Sequence, residues 1–473
     1  MEFKNTKKSK DKTLPYFLGI AFLFLVIKLF ELRLKFSDGF TYMYMGKLLL
    51  QGLIPYKDFF FASPPLQIYL MAFGEIFVGN NLLLLKLIPI FATIGSSFFI
   101  YNLVKNKFNG SQAITAATLF LFSFLTLLTT DYSTGIHLTL FFILGMIYFI
   151  EEDKPLLAGI FGSLALSTRL YALFPLAGAG IYYIICKRKN IWKFLIGLAS
   201  VFISLSIIFQ ILSRGAYLDQ IFFFRLNLIS GIGLSKSAVL SFFIKGDFIL
   251  ALGTFLYLLF DKEKKKLLLP ILATAFSLIL YVVYSDIYYL YFGLIIGFLA
   301  IFTTKFIFIF EDQKNFKMIL GICLSIFILF NSFFYIIDYG SSSNINFTND
   351  IVEFVKENSS ENQTIYGSFE ITPLIGILAN RKLAGNIADT NPKNIMTKTF
   401  TIEDIEKRIK GVRFIIVKGN ILNDGSIVGF DASTPTNYIK ENCKIEKTYP
   451  IRKDFTSNAV VVYGCEKLGD NLR

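Results

Sequence analysis

Residues 14–34 read LPYFLGIAFLFLVIKLFELRL, an apolar run of the length that a membrane-spanning helix needs. The run follows a basic N-terminal segment, MEFKNTKKSKDK at 1–12. It lacks the small-residue cleavage site that ends a secretory signal peptide. We therefore interpret it as an uncleaved membrane anchor and as the first span.

The apolar character continues through most of the chain. Of its 473 residues, 54% are hydrophobic, and the mean hydropathy is +0.58. A soluble protein of this size cannot hide so much apolar surface, because a folded protein still needs a polar shell. The composition therefore argues against soluble enzymes, nucleic-acid binders and disordered scaffolds.

Further apolar stretches of suitable length predict more spans. They lie at 82–104, 111–129, 132–150, 192–213, 238–260, 267–284, 287–309 and 318–338. The region 154–186 is apolar except for Arg169 and is too long for one helix, so we interpret it as two short spans that turn at 167–169. The sequence thus predicts an α-helical polytopic membrane protein with about eleven transmembrane helices.

The charge distribution predicts the orientation of these spans. The net charge is +13, and most of this basic excess lies in residues 1–338. If the N-terminus is cytoplasmic, other basic loops fall on the same side, at 105–107, 187–193, 262–266 and 305–317. This pattern is typical of membrane topology and not of a nucleic-acid patch, so no nucleic-acid partner is expected. An odd number of spans then places the C-terminal tail outside.

Two external loops are long, at 35–81 and 214–237, and both are rich in aromatic residues. In the first loop, Ser37 is positioned to cap a helix that begins near Asp38. A second helix is expected over 64–78, because two prolines open an apolar stretch there. Short helices on an outer membrane surface are more typical of a platform for a site than of a simple channel.

The tail changes character and predicts a small α/β domain. Polar helical stretches at 350–358, 402–410 and 436–441 alternate with β-rich runs at 364–366, 414–417 and 460–463. The chain is thereby divided into a cytoplasmic N-terminus at 1–13, a transmembrane domain at 14–338 and an extracytoplasmic domain at 345–473.

The four cysteines agree with this layout. Cys186 and Cys323 fall in predicted spans, where a thiol usually serves as a small apolar residue. Cys443 and Cys465 lie in the tail. If the segments around them pair as a hairpin, the two sulfur atoms come opposite each other, and an oxidising compartment then favours a structural disulfide.

Charged residues near the spans are the candidates for chemistry, because charge is costly there unless it serves a function. The predicted outer face collects Asp38, Asp58, Glu75, Asp131, Asp219 and Asp286, with Lys57, Lys86, Arg169, Arg214 and Arg225. Any one of them alone is compatible with a solvated loop residue. As a set, they suit an anionic substrate and an acid–base reaction.

Three segments of the first external loop form a pattern: SDGFTY at 37–42, GLIPYKDFF at 52–60 and SPPLQIYL at 63–70. The pattern resembles the first external loop of the membrane-embedded GT-C glycosyltransferases, especially the protein-mannosyltransferase-like branch that includes the aminoarabinose transferases of lipid A. The resemblance extends to Asp131, to the segment from Gly159 through Arg169 to Pro175, to the tyrosine-rich stretch 284–291 and to the α/β tail.

Two positions depart from the pattern of that family. The family often has a second acidic residue directly after the first Asp, and here Gly39 stands there. The residue before the proline pair is commonly His or Lys in the family, and here it is Ser63. These departures argue against a metal site or a second acid in this loop.

The resemblance implies inverting transfer of a sugar from a polyprenyl-phosphate donor to a protein, lipid or glycan acceptor at the outer membrane face. An acceptor hydroxyl is a weak nucleophile, so a carboxylate must take its proton, and Asp38 is the candidate base. Cations must hold the leaving lipid phosphate, and the candidates are Arg169, Arg225 and Lys86. Arg169, between two spans, is the best of these, although a structural anchor is an equal interpretation.

The resemblance also covers Asp58 and Asp131, which match acidic positions of the family. They are candidates to orient the acceptor, to bind a divalent cation or to brace the loop. His137 is interpreted as a packing residue within a span, and with a single His the sequence argues against a zinc site. No cofactor is required by the sequence, and a divalent cation stays open.

Two other classes of function remain as alternatives. A transporter or flippase of lipid-linked sugars shares the spans and basic inner loops, although no internal duplication of the transporter kind is evident. A non-catalytic partner that presents its tail to other surface components is the second. No Walker loop is present, so nucleotide-driven transport has no support.

Overall fold

The structure is a computed structural model of the 473-residue chain. It describes residues 12–30, 32–34, 36–226, 235–284, 287–340, 345–422, 427–428, 430–450 and 458–465. Helices dominate up to residue 340, and a mixed helix and strand unit follows from 345. The predicted helical membrane architecture with a small C-terminal α/β domain is thereby confirmed.

The described residues between 14 and 212 form eleven α-helices. They are α1 (Leu14–Phe30), α2 (Gly39–Leu50), α3 (Leu66–Val78), α4 (Leu82–Leu85), α5 (Leu87–Lys107), α6 (Gly110–Leu121), α7 (Phe124–Thr129), α8 (Ile136–Glu151), α9 (Pro155–Thr168), α10 (Leu173–Cys186) and α11 (Ile191–Leu212). Short 3₁₀ turns at Leu170–Ala172 and Arg188–Asn190 join the last three.

The membrane part continues to residue 340. Its helices are α12 (Ala216–Leu218), α13 (Phe224–Leu226), α14 (Lys236–Gly246), α15 (Phe248–Phe260), α16 (Leu268–Val283), α17 (Ile296–Ile307) and α18 (Phe316–Gly340). A π-helical turn lies at Asp219–Phe223, and 3₁₀ turns lie at Lys264–Leu267, Tyr289–Leu294 and Phe308–Phe310.

Among the described residues, four helical segments are each long and apolar enough to cross a membrane. They are Leu82–Lys107, Arg188–Leu212, Lys264–Val283 and Phe316–Ile337, and the bent pair α14 and α15 makes a fifth if it is one span. Shorter apolar helices, among them α1, α8, α9 and α17, pack with these segments. The chain is a multi-pass membrane protein, and the number of eleven spans stays a prediction.

One predicted span, 238–260, is instead broken by a bend of 91° at Asp247, between Gly246 and Phe248. The buried Asp247 carboxylate accepts hydrogen bonds from the backbone N–H groups of Phe124 and Leu125, at 2.9 and 3.0 Å. It thereby satisfies donors at the start of α7 that have no partner within their own helix. A carboxylate inside an apolar run needs such partners, and the helix breaks to supply them.

The predicted span 111–129 is also interrupted, at Phe122 and Ser123. Ser123 occupies the N-cap of α7, and its hydroxyl accepts a hydrogen bond from the backbone N–H of Thr126. A serine cap starts a new helix because it satisfies one of the first unpaired N–H groups. The bundle is therefore built from shorter helices than hydropathy alone predicts.

The first external loop folds as α2 and α3, where the sequence predicts two helices. Asp38, and not Ser37, occupies the N-cap of α2, so the expected cap at Ser37 is wrong. Within the described residues, the Asp38 side chain makes no capping hydrogen bond to its own helix. The helix begins one residue later than a Ser37 cap requires, and the Asp38 carboxylate remains available for other contacts.

The connection between α2 and α3 is held by side chains from distant positions. The Gln220 amide donates to the Tyr56 carbonyl at 2.7 Å and accepts from the Phe61 N–H at 3.0 Å. The Tyr56 hydroxyl donates to the Ser63 carbonyl at 2.7 Å. These bonds fix the backbone of an irregular segment and offset the conformational entropy that its ordering costs.

The C-terminal unit surrounds a six-stranded sheet. Its strands are β1 (Thr364–Gly367), β2 (Lys382–Leu383), β3 (Phe414–Ile421), β4 (Ile427–Val428), β5 (Cys443–Pro450) and β6 (Ala459–Cys465), and its helices are α19 (Ile345–Glu357), α20 (Thr372–Ala379), α21 (Lys393–Met396), α22 (Ile402–Arg408) and α23 (Thr436–Asn442). The strand order is β2-β1-β3-β6-β5, with β4 paired to β3. Strands β1, β2 and β3 are parallel, and β6 pairs antiparallel with β3 and β5.

Cys443 and Cys465 lie directly opposite each other where β5 and β6 pair, and their sulfur atoms form a disulfide. The hairpin that the sequence suggested for these segments is therefore present in the sheet. The bond ties the last described strand to its neighbour.

The C-terminal unit and the first external loop share one hydrophobic core. Buried Phe40 and Met43 of α2 belong to the same cluster as Leu374 and Ile375 of α20. The Tyr44 hydroxyl accepts a hydrogen bond from the Leu383 N–H at 2.8 Å. Shared burial of apolar side chains stabilises this contact and fixes the C-terminal unit above α2.

Candidate active site

A cavity of about 180 Å³ lies where the helical bundle, the first external loop and the C-terminal unit meet. Five charged side chains line it: Asp38, Arg169, Glu370, Asp389 and Lys393. Its aromatic lining consists of Tyr42, Phe61, Phe224, Tyr288, Tyr291 and Phe369. Concave sites with few convergent polar groups among aromatic walls are typical of ligand-binding sites.

Asp38 reaches this cavity from the N-terminus of α2. Burial, together with the negative charges of Glu370 and Asp389, raises the pKa of its carboxyl group to about 7. Lys393 and Arg169 act in the opposite direction. The carboxyl group is therefore poised to exchange a proton near neutral pH, as a general base requires.

Arg169 lies at the end of α9, where the chain turns towards α10. Its guanidinium donates to the Thr134 carbonyl through Nε at 2.7 Å and also through Nη2, and its Nη1 donates to the Ser63 hydroxyl at 2.7 Å. The guanidinium carbon lies 4.8 Å from the centre of the Tyr42 ring. These contacts hold a positive charge in one orientation beside the cavity.

A glycine allows the Arg169 contact to form. Gly135, which follows Thr134, has a φ of +85°, a conformation that glycine adopts without a steric penalty. A Cβ atom there would lie 3.3 Å from the Arg169 Nε and 3.2 Å from the Gln67 side-chain oxygen. The turn before α8 therefore needs glycine both for its backbone and for the close approach of the guanidinium.

Lys86 and Asp131 do not line the cavity and instead form a buried charge cluster with Lys28 of α1. The Asp131 carboxylate pairs with Lys28 at 2.9 Å and with Lys86 at 3.2 Å. Lys28 also donates to the Tyr335 hydroxyl, and Lys86 donates to the Arg33 carbonyl at 2.6 Å. This geometry braces the helices below the first loop and does not present either charge to a ligand in the cavity.

Asp58 is also engaged within the first loop. Its carboxylate accepts a hydrogen bond from the Ile54 N–H at 2.8 Å, and its own N–H donates to the Ile54 carbonyl at 2.9 Å. It does not line the cavity. The side chain of Arg225 lies outside the part of the chain that the structure describes. Of the predicted site residues, the cavity therefore brings together Asp38 and Arg169.

The C-terminal unit supplies three charged residues that the sequence analysis did not select: Glu370, Asp389 and Lys393. Glu370 forms an ion pair with Lys418 of β3. The Lys393 ammonium lies 4.8 Å from the centre of the Tyr288 ring, which joins the C-terminal unit to the bundle. No sequence motif marks these positions, and their approach to Asp38 depends on how the two parts pack.

The described residues do not fit a metal site in the cavity. No group of three or more His, Cys, Asp and Glu side chains in the described part is arranged to hold an ion. The family pattern has a second acidic residue at the position of Gly39. A side chain at this position would be crowded, because its Cβ atom would lie 3.1 Å from the Ser133 backbone nitrogen. The two ring nitrogens of His137 contact the hydroxyls of Thr93 and Thr129, at 3.1 and 2.7 Å.

An apolar groove of about 350 Å³ lies on the side of the bundle. It is lined by Phe202, Ile203, Ser206, Ile207, Gln210 and Ile211 of α11 together with Leu218 and Phe222. Phe224, two residues beyond the groove, lines the charged cavity. The segment around the π-helical turn therefore contributes to both sites.

Comparison with solved structures finds the same architecture in three membrane glycosyltransferases. The crystal structure of ArnT from Cupriavidus metallidurans bound to undecaprenyl phosphate has a TM-score of 0.70 at 9% identity, over 96% of this chain and 98% of that chain. The Archaeoglobus fulgidus oligosaccharyltransferase in complex with Zn and sulfate has a TM-score of 0.55 at 13% identity, over 85% and 67%. The arabinofuranosyltransferase AftD from Mycobacteria has a TM-score of 0.54 at 12% identity, over 95% and 40%.

The sequence comparisons point to the same group. The search of curated proteins found no match. Residues 62–213, from the first external loop to the end of α11, match the model of the dolichyl-phosphate-mannose-protein mannosyltransferase family. The resemblance seen in the first loop is thereby confirmed: the chain has the fold of the GT-C glycosyltransferases, and its segment 62–213 matches their protein-mannosyltransferase family.

Proposed function

We propose that this protein is a membrane glycosyltransferase that moves a sugar from a polyprenyl-phosphate donor to an acceptor at the extracytoplasmic face, with inversion. The observation that carries the proposal is the single cavity that Asp38 and Arg169 both line. The family match over 62–213 and the undecaprenyl phosphate bound by ArnT support a donor of this class. The acceptor is a hydroxyl compound: protein, lipid or glycan.

Asp38 acts as the base. The acceptor O–H gives its proton to the Asp38 carboxylate while the acceptor oxygen bonds to the anomeric carbon of the donor sugar. The bond from that carbon to the phosphate oxygen breaks on the opposite face, so the configuration inverts and polyprenyl phosphate leaves. The pKa of about 7 places this carboxyl group where it accepts a proton efficiently at neutral pH.

Arg169 stabilises the leaving phosphate. Negative charge grows on the phosphate oxygen as the C–O bond breaks, and a cation held in place lowers the energy of that transition state. The bonds to Thr134 and Ser63 fix the guanidinium in advance, so little reorganisation is needed during the reaction. The serine that replaces His or Lys of the family pattern thus orients Arg169.

The apolar groove beside the π-helical turn takes the isoprenoid chain of the donor. The lining of the groove is almost wholly apolar. It therefore suits a hydrocarbon chain that stays in contact with the membrane lipids. Phe222 lines this groove, and Phe224, two residues further along the chain, lines the charged cavity. Such a placement lets the phosphate meet Arg169 while the chain stays in the membrane.

The Lys28, Asp131 and Lys86 cluster and the Asp58 loop contact position the first external loop. Lys86 donates to the carbonyl of Arg33, which lies three residues beyond α1 and five residues before Asp38. Asp58 closes the turn between α2 and α3. These residues act through the backbone that carries Asp38 and not on the substrate, and no step of the proposed reaction passes through a metal ion.

An assay with radiolabelled polyprenyl-phosphate sugars in purified membranes tests the proposal. We expect the label to leave the lipid fraction and to appear on an acceptor, with the opposite anomeric configuration. Movement of intact donor across the membrane, without transfer, would instead favour the flippase. Absence of both would leave the non-catalytic partner as the explanation.

A further inference from the structure

Two basic turns lie side by side at one end of the helical bundle. Helices α10 and α16 pack against each other. The Tyr171 and Tyr284 rings lie 5.6 Å apart at one end of this pair, and further along it a Cβ atom on Gly178 would lie 2.7 Å from the Leu272 carbonyl oxygen. The two helices are therefore antiparallel. At about 1.5 Å per residue, the turn after α10 and the turn before α16 both lie roughly 10–15 Å beyond the glycine contact.

A lysine contact holds each of these turns in place. Lys187 donates to the Ile150 carbonyl at 2.7 Å and pairs with Asp153 at 3.2 Å. At the other turn, the Lys107 ammonium donates to the Lys266 carbonyl at 2.8 Å. The backbone of both turns is thereby fixed to the helices behind it, so little of it has to be ordered when a ligand binds to the outward side chains.

A surplus of positive charge remains on the two turns when the ion pairs of the described residues are taken into account. Glu263 pairs with Lys266 at 2.7 Å and with Lys305 at 3.2 Å. The Asp261 carboxylate is buried and accepts a hydrogen bond from the Glu263 N–H. Four further cations are exposed and have no ion-pair partner within the described part of the chain: Arg188, Lys189, Lys264 and Lys265. Even with Asp261 ionised, the turns keep a net positive charge.

An exposed apolar surface continues from these turns along α10 and α11. Helix α10 packs mainly against α16, and α11 packs mainly against α9, so α10 and α11 cover little of each other. The side chains that they leave exposed near the turns are Ile184, Ile185, Trp192, Leu195 and Ile196. Tryptophan and basic side chains are typical of the level of the lipid head groups, with aliphatic side chains beneath them. The four cations therefore lie beside a surface suited to acyl chains.

We propose that the turns Arg188–Asn190 and Lys264–Leu267 form a binding surface for the head group of an anionic phospholipid, whose acyl chains lie along the exposed faces of α10 and α11. Fixed cations attract a phosphodiester head group with a net negative charge, and a zwitterionic head group gains far less from them. An acidic soluble protein would match the charges but not the apolar side chains beneath them. The inference does not depend on the proposed transferase reaction.

The single tryptophan of the chain is a local probe of this surface, because Trp192 is 71% exposed beside the first turn. The full-length protein is reconstituted in phosphatidylcholine bilayers that contain increasing fractions of either phosphatidylglycerol or phosphatidylcholine with brominated acyl chains. Bromine quenches tryptophan fluorescence at short range, so the emission reports which lipid lies beside Trp192. The two quenching curves together give the binding constant of the anionic lipid relative to the zwitterionic lipid.

We expect phosphatidylglycerol to bind beside Trp192 at least about fivefold more tightly than phosphatidylcholine. One double variant carries Arg188→Gln and Lys189→Gln, and a second carries Lys264→Gln and Lys265→Gln. Each should lower this preference, and the four substitutions together should reduce it to about twofold or less. Retained quenching by brominated phosphatidylcholine shows that a variant is folded and that its tryptophan still meets the lipid.

The matched control is Lys314→Gln with Lys317→Gln, two exposed lysines in another basic loop, before α18. It should keep the wild-type preference. Equal binding of the two lipids by the wild type, or a preference that survives all four substitutions, would overturn the inference. A loss confined to one double variant would contradict a surface shared by both turns. An equal loss in the control would show a diffuse attraction to the membrane surface in place of a site.

Discussion

At the scale of single residues, the site depends on how four charged groups surround one carboxyl group. Burial and the negative charges of Glu370 and Asp389 raise the pKa of the Asp38 carboxyl group to about 7. The positive charges of Lys393 and Arg169 limit this increase. A carboxyl group in open water titrates about three units lower and would be a weaker base at neutral pH. The C-terminal unit thus contributes to the chemistry of a residue in the first external loop.

The pH dependence of transfer checks this arrangement. Asp38 accepts a proton only when ionised, so transfer should fall as the pH drops below about 7. Glu370→Gln removes a charge that raises the pKa of Asp38, and the acidic limb should move down by roughly one pH unit. Lys393→Gln should move it up. Donor turnover in membranes from about pH 5 to 9 measures the shift. The account would be contradicted if the two variants shifted the acidic limb in the same direction, or if neither variant shifted it.

Asp131 allows a second prediction at this scale. Asp131→Asn removes the carboxylate that pairs with the buried ammonium groups of both Lys28 and Lys86, so the free energy of unfolding should fall by about 3–5 kcal/mol. Denaturant unfolding in detergent measures it. Asp153→Asn is the matched control, because its pair with Lys187 is exposed and should contribute at most about 1 kcal/mol. Equal losses in the two variants would refute a special role for the buried cluster.

The sequence predicted two of the charged side chains that line the cavity. The motif in the first loop marked Asp38, and the isolated charge between two apolar spans marked Arg169. The sequence did not identify Glu370 and Asp389 as cavity residues. They reach the cavity through long-range contacts such as that of Thr41 with Phe369, which lie 328 positions apart. Lys86 was a candidate to bind the donor phosphate, whereas the structure shows it in a buried ion pair with Asp131. The sequence does not separate these two roles, because a basic residue near a span is compatible with both.

At the scale of elements, α2 links the cavity residue Asp38 to the C-terminal unit. It begins directly after Asp38, packs against α3, and presents Phe40 and Met43 to the core that it shares with α20. One twelve-residue helix therefore follows directly on the proposed base and carries the docking surface of the C-terminal unit along its length. A change in how that unit docks must alter the position of Asp38.

The apolar groove on α11 predicts a dependence on donor chain length. Ile207→Trp fills the groove, so KM should rise at least about fivefold for a long-chain polyprenyl donor and change little for a short-chain one. Ile196→Trp, on an exposed part of α11 outside the groove, is the matched control. Equal effects on the two donors would show that the isoprenoid chain lies elsewhere.

Elements were predicted where local chemistry determines them. The proline pair and the apolar spacing predicted both helices of the first loop. The break at Asp247 was missed, since a single carboxylate within 238–260 looks like a tolerated exception until its partners at Phe124 and Leu125 are known. Helix breaks that depend on distant partners leave little trace in hydropathy.

At the scale of the whole molecule, composition and charge distribution were sufficient to predict a polytopic helical protein with a small α/β tail. The orientation of that protein rests on the basic loops, and the proposed function requires the C-terminal unit to lie outside. The disulfide between Cys443 and Cys465 is compatible with an oxidising compartment.

Labelling with an impermeant maleimide tests this orientation. In a background that carries Cys186→Ser and Cys323→Ser, Glu353→Cys on α19 should react in intact cells. Lys189→Cys, in the turn between α10 and α11, should react only after permeabilisation. Both positions are exposed, so access to the reagent decides the result. The reverse pattern would place the active-site cavity on the cytoplasmic side.

Turnover of a labelled polyprenyl-phosphate sugar by Asp38→Asn, beside Asp58→Asn from the same loop, tests the catalytic assignment most directly. The first variant should lose at least about a hundredfold in kcat, because it removes the group that takes the acceptor proton. The second should retain most of its kcat, because Asp58 does not line the cavity and an Asn side-chain oxygen can still accept the hydrogen bond from the Ile54 N–H. Undiminished turnover by Asp38→Asn would contradict the account.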